Sequence, residues 1–171
     1  MKRVFYKYYT HKNVIMLMMG ISIITLFNIA TSRYRIAIDF ESIRCIQEYS
    51  IYLVDKHDKE PKRNHLYMFN SKNLLPIYPK NTKMLKYLRG MPGDTVTIDH
   101  NDNIYIENQY IATGLSLAKS KLGQSKNTFR GTTVLQENQY WFLGTSSHSF
   151  DSRYWGTVKQ SDILGRAYGL L

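Results

Sequence analysis

Twenty consecutive residues, Asn13 to Ser32, carry no charge, and the run from Val14 to Ala30 is rich in Ile, Leu and Met. A helix rises about 1.5 Å per residue, so about 20 residues span the roughly 30 Å of a bilayer's hydrocarbon core. The segment therefore reads as a membrane anchor. Lys2, Arg3, Lys7 and Lys12 precede it, whereas only Arg33 and Arg35 come soon after it. The excess of cations before the span keeps the N-terminus cytoplasmic and exports the chain beyond Ser32. Ala30-Thr31-Ser32 offers small residues suited to a cleavable signal peptide, but the apolar run exceeds the usual core of about 7–15 residues in such peptides. The reading divides the chain into a basic tail (1–12), a transmembrane anchor (13–32) and an exported domain (33–171).

The formal charge of +10 admits a nucleic acid or an anionic lipid surface as partner. The basic flank of the anchor accounts for part of it. No clustered Lys/Arg stripe with stacking aromatics accompanies it, so no nucleic-acid partner is expected. Cys45 is the only cysteine, which excludes an intrachain disulfide.

Beyond Arg33 the helical period gives way to short apolar and aromatic runs of strand type: Ile51–Val54, Leu66–Phe69 and Tyr140–Leu143. Thr95–Ile98 and Ile104–Ile106 flank the polar stretch Asp99–Asn103 and predict a hairpin. The polar stretch from Thr113 to Thr132 reads as a surface excursion. Together these predict a mainly β, antiparallel body with no internal repeat and no second domain.

The five histidines lie far apart and form no zinc pattern, and there is no Gly-x-Ser-x-Gly elbow or phosphate loop. No metal and no cofactor are expected. Lys86 opens the segment Lys86-Tyr87-Leu88-Arg89-Gly90-Met91-Pro92-Gly93-Asp94. On a strand, Met84, Lys86 and Leu88 share a face. A lysine on an inward, apolar face loses solvation, and desolvation favours a neutral amine able to take a proton from a hydroxyl or thiol. An exposed strand lysine is the plainer alternative, because lysines are seldom buried.

The second chemical segment is Leu143-Gly144-Thr145-Ser146-Ser147-His148-Ser149-Phe150-Asp151-Ser152-Arg153-Tyr154-Trp155-Gly156. It resembles the signature loop of the bacterial leader (type I signal) peptidases, in its core Ser149-x-Asp151-Ser152-Arg153-Tyr154-Trp155-Gly156 above all. Ile163–Ala167 resembles that family's exit from the loop, and Lys86–Asp94 its lysine strand. The single anchor and modest length are most similar to the conjugative-transfer (TraF-type) branch.

The resemblance implies an antiparallel signal-peptidase-like β domain behind one transmembrane helix, in a bacterial inner membrane with the domain periplasmic. It implies an exported precursor peptide, such as a pilin, as substrate, and cleavage or cleavage with cyclisation as the reaction. By the same resemblance Lys86 is the general base, Ser149 holds its amine, and Asp151 and Arg153 form an ion pair that shapes the loop. An ordinary surface pair would contribute less than about 1 kcal/mol.

The family's serine stands before a strand, in a Ser-Met-x-Pro or Ser-Leu-Pro context that is missing here. Cys45-Ile46-Gln47 is the nearest counterpart in register, and Ser42 supplies the expected hydroxyl; both stand as nucleophile candidates, while Ser50 sits in the apparent strand. A small, buried structural role for Cys45 is the alternative. The missing motif also admits a catalytically inactive assembly component of a secretion or conjugation apparatus.

Overall fold

The computed structural model describes the chain from Lys2 to Leu171, with side chains described from His11 onward. By its contacts the chain divides after Tyr34 into a helical unit and a β body.

The helical unit is α1 (Lys2–Arg33), and His11–Arg33 is long and apolar enough to cross a membrane. Its few hydroxyls bond to carbonyls one turn back: Ser22 Oγ to Met18 O at 2.9 Å, Thr25 Oγ1 to Ile21 O at 2.8 Å and Thr31 Oγ1 to Phe27 O at 2.9 Å. Donors satisfied within the helix can enter hydrocarbon without the several kcal/mol cost of an unpaired polar group.

The body contains β1 (Tyr34–Ile38), β2 (Ile51–Asp55), β3 (Leu66–Asn70), β4 (Lys83–Gly90), β5 (Thr95–Ile98), β6 (Asn103–Ile106), β7 (Gln109–Thr113), α2 (Leu117–Ser120), β8 (Gly131–Val134), β9 (Trp141–Leu143), α3 (Ser152–Trp155) and β10 (Ile163–Gly169). A six-stranded sheet runs β1-β2-β10-β3-β4-β9, and a four-stranded sheet runs β7-β6-β5-β8. The expected hairpin forms with Val96 opposite Ile106 and Ile98 opposite Ile104.

Strand β3 explains why its sequence lacks polar alternation. Leu66 and Met68 enter one core with Ile46, Tyr52, Val54 and Ala167, while Tyr67 and Phe69 enter another with Met84, Leu88, Phe142 and Trp155. A strand covered on both faces is apolar throughout. β9 joins the two sheets in the same way: Phe142 points into the large-sheet core, and Trp141 and Leu143 into the small-sheet core with Val96, Ile98, Ile104 and Ile106. Gly90, at the end of β4, allows this approach, since a Cβ there would fall 2.8 Å from both Leu135 Cδ1 and Trp141 Cβ.

The stretch Thr113–Thr132 departs from the simple surface excursion expected of it. It holds α2, with Leu115 and Ala118 buried in the small-sheet core, and its end enters β8. The apolar residues there are too sparse to show a period, and the segment is fixed by packing instead. Ser50 lies just before β2 rather than within it.

The turn after β4 is closed by Asp94, which accepts from Met91 N at 2.7 Å and from Arg63 Nη2 at 2.8 Å. Burial pushes this carboxyl upward, but the hydrogen bonds and charge of Arg63, with the Met91 N–H, outweigh burial and hold it below its ordinary value. A depressed carboxyl contributes stability that is present above its unfolded-state value of about 3.9 and is lost as pH falls through the native one. Asp94→Asn should therefore lower stability by about 1–2 kcal/mol at neutral pH. In thermal unfolding of the full chain in detergent, that difference should shrink as the pH drops below about 4.

Candidate active site

Lys86 lies in the middle of β4, whose side chains alternate so that Met84, Lys86, Leu88 and Gly90 are buried. Opposite it in register is Tyr67, a fully buried ring. Lys86 is only 5% exposed, with apolar neighbours along its own face, as the pattern predicts. Its amine makes no hydrogen bond or ion pair among the described residues, and it lines an open groove of about 1010 Å³.

Cys45 lines the same groove; Ser42 is exposed and is not part of that lining. Cys45 is half-buried, which removes the reading of it as a fully buried small hydrophobe. Its position follows from two anchors. Ile46, 1% exposed, plugs the core beneath the sheet. The backbone is clipped to the signature loop: Thr145 N and Ser146 N donate to Cys45 O at 2.9 and 3.2 Å, and Gln47 N donates to Thr145 Oγ1 at 3.0 Å. Thr145 Oγ1 in turn donates to Glu48 Oε2 at 3.1 Å.

The loop that receives this clip is held by Arg153 and Asp151. Arg153 Nε donates to Asp151 Oδ1 at 2.8 Å and Nη2 to Asp151 Oδ2 at 2.7 Å, a bidentate pair. The two side chains are 1% and 0% exposed, so this is not the surface pair that sequence alone allowed. The remaining guanidinium protons go to three carbonyls: Gly114 O at 3.1 Å, Ser146 O at 3.0 Å and Ser149 O at 3.3 Å. Burial disfavours the Arg153 charge, but the Asp151 hydrogen bonds and charge outweigh it and raise the guanidinium above its usual value. Asp151 Oδ2 also accepts from Gly144 N at 2.9 Å, and Ser152 Oγ accepts from Phe142 N at 2.9 Å, which ties the loop to β9.

Ser149 is completely buried, and its hydroxyl has no hydrogen-bond partner. The bond to the Lys86 amine that the resemblance implies is therefore not made in this structure. Ser149 and Cys45 meet at Gly144, where an added Cβ would collide with Ser149 Oγ and come within 2.6 Å of Cys45 O. The absence of a side chain at 144 brings the two segments together. Sequence reasoning passed over Thr145, Ile46 and His148, of which His148 lines the groove. Only the position of Thr145, next to Gly144 in the signature segment, hinted at its role. Among the described residues no cluster of three or more His, Cys, Asp or Glu could hold a metal ion.

The family model described as "Signal peptidase, peptidase S26" matches residues 9–170. The chain is 28% identical over 111 residues to a probable signal peptidase I-2 of Synechocystis sp., covering 64% of this chain and 48% of that protein. It is 25% identical over 96 residues to a signal peptidase I V of Bacillus subtilis, covering 51% and 56%. The chain thus spans about half the length of the curated relatives it matches. A crystal structure of a signal peptidase I from Enterococcus faecalis is similar at 30% identity, covering 64% of this chain and 97% of that one, with a TM-score of 0.41.

Breaking the buried pair strands a charge in the interior. Arg153→Met or Asp151→Asn alone should cost about 3–5 kcal/mol in denaturant or thermal unfolding of the full chain. Gly144→Ala should displace Cys45 from the loop, read as faster alkylation of its thiol by iodoacetamide.

Proposed function

The chain belongs to the signal peptidase family, peptidase S26, and on that premise we propose that it is a membrane-anchored endopeptidase of exported precursor peptides, with Cys45 as nucleophile and Lys86 as base. The observation that carries this reading is that a half-buried thiol and a buried, unpartnered amine line one groove, while the exposed Ser42 does not.

In the proposed cycle Lys86 Nζ takes the Cys45 Sγ proton, and the sulfur attacks the scissile carbonyl carbon. The tetrahedral oxyanion is stabilised by backbone N–H groups near the nucleophile. Its collapse breaks the C–N bond, and the lysine ammonium returns its proton to the departing amine. A thioester remains. Water, deprotonated by Lys86, attacks this thioester, and the thiolate leaves and is reprotonated from Lys86. An incoming amine in place of water would give a joined or cyclised peptide, in line with the resemblance to the conjugative branch and a pilin-like precursor. Thiolates are stronger nucleophiles than hydroxyl groups and need less activation, which fits a cysteine in the family serine's place.

The anchor, with its basic N-terminal flank, would keep the N-terminus cytoplasmic and deliver the groove to the outer face of the inner membrane. Precursors tethered in the same bilayer would meet the groove at high effective concentration. Ser149, Asp151 and Arg153 act on position rather than on bonds: the ion pair fixes the loop that holds Cys45, and Ser149 stands ready to orient the lysine amine.

The test is processing of a candidate pilin precursor by the full chain, with precursor termini read by mass spectrometry. Lys86→Ala should slow cleavage by about 10²–10⁴-fold. Cys45→Ala should abolish it and Ser42→Ala should leave it in place. Loss with Ser42→Ala alone would move the nucleophile to that hydroxyl. Cleavage that survives Lys86→Ala would contradict the mechanism. Absence of cleavage by the wild type would favour a non-catalytic assembly component.

A further inference from the structure

Besides Lys86 the groove is lined by Arg35, Lys83 and Lys121, and of these three Lys121 is the one held against aromatic rings among the described residues. Lys121, at the end of α2, lines it together with Tyr78, His148 and Phe150. Its ammonium lies 5.1 Å from the centre of the Tyr78 ring and 5.3 Å from that of Phe150. These rings belong to one aromatic wall: Tyr78 and Phe150 are 5.9 Å apart, and Phe150 stacks on Tyr154 at 5.8 Å. Ammonium groups are attracted to ring faces within about 6 Å, by about 0.5–1 kcal/mol at exposed sites. The rings thus hold the ammonium without supplying a counter-charge. Lys121 makes no hydrogen bond or ion pair with a carboxylate among the described residues. Asp39 and Glu41 line the groove without pairing to it.

A cation kept in a substrate groove, ordered by rings but lacking a counter-ion, selects for negative charge. Much of the side-chain entropy cost of an ion pair is met before the ligand arrives, and the aromatic wall limits hydration on one side of the amine. We propose that Lys121 is a specificity-determining residue that binds an acidic side chain, Asp or Glu, of the substrate peptide near the scissile bond. This inference rests on the endopeptidase reading. Lys121 takes no part in bond making: its removal should change which peptides are cleaved, not whether cleavage occurs.

The experiment uses the full-length protein in detergent and synthetic peptides based on a cleaved precursor. Glu, Gln and Lys are placed in turn at each position around the scissile bond, with both amidated and free-acid C-termini. The wild type should favour Glu over Lys at one position by about fivefold in kcat/KM, the size set by a partly exposed ion pair. Lys121→Met should erase that preference, and Lys121→Glu should invert it, with Gln peptides cleaved alike by all three. Equal rates for Glu, Gln and Lys at every position, or a Glu preference that survives in Lys121→Glu, would overturn the inference while leaving the peptidase reading intact. A preference for free-acid over amidated termini, with none for internal Glu, would likewise overturn it. A wild type that cleaves no peptide would overturn both.

Discussion

The loop that holds Cys45 depends on a buried ion pair. Asp151 and Arg153, both excluded from solvent, use their hydrogen-bonding capacity on each other and on the backbone of the loop around them. Such a pair is weak evidence for net stability, because desolvating two charges offsets much of their attraction. Its structural consequence is conformational: the guanidinium gathers carbonyls at 114, 146 and 149, and the carboxylate holds the amide of Gly144. That fixes the backbone amides of Thr145 and Ser146, which donate to the Cys45 carbonyl. This chain of contacts holds the thiol segment before β2, and the pairing of β4 with β3 places the amine 41 positions further on; both line one groove.

Much of this is legible in the sequence where the signal is local. The uncharged run before Arg33 forms one helix, Lys86 has the inward position that strand alternation assigns it, and the hairpin around Asp99–Asn103 forms. Asp151 and Arg153, two residues apart, do form the ion pair that the family resemblance implies. The features hidden from the sequence depend on contacts distant along it. The split into two sheets follows from β9 burying alternate residues in different cores, which three apolar letters cannot announce. The place of Lys121 follows from Tyr78 and Phe150, each more than 25 positions away in the chain. The placing of Cys45 is hidden for the same reason, since it follows from Ile46 in the core and from the amides of Thr145 and Ser146, about 100 positions further along the chain.

The hydroxyl of Ser149 shows how tightly the site is composed. It is wholly buried without a partner, a state that normally costs about 1–3 kcal/mol. Gly144 makes room for it beside the carbonyl of the proposed nucleophile.

The central claim is that sulfur, not a hydroxyl oxygen, carries the acyl group. The most direct measurement is intact-mass and peptide-mapping spectrometry of the full chain quenched in acid during turnover of a precursor peptide. The account predicts an acyl adduct on the peptide containing Cys45, released by neutral hydroxylamine as a thioester is. An adduct on Ser42, or turnover with the Cys45 thiol unmodified throughout, would contradict it.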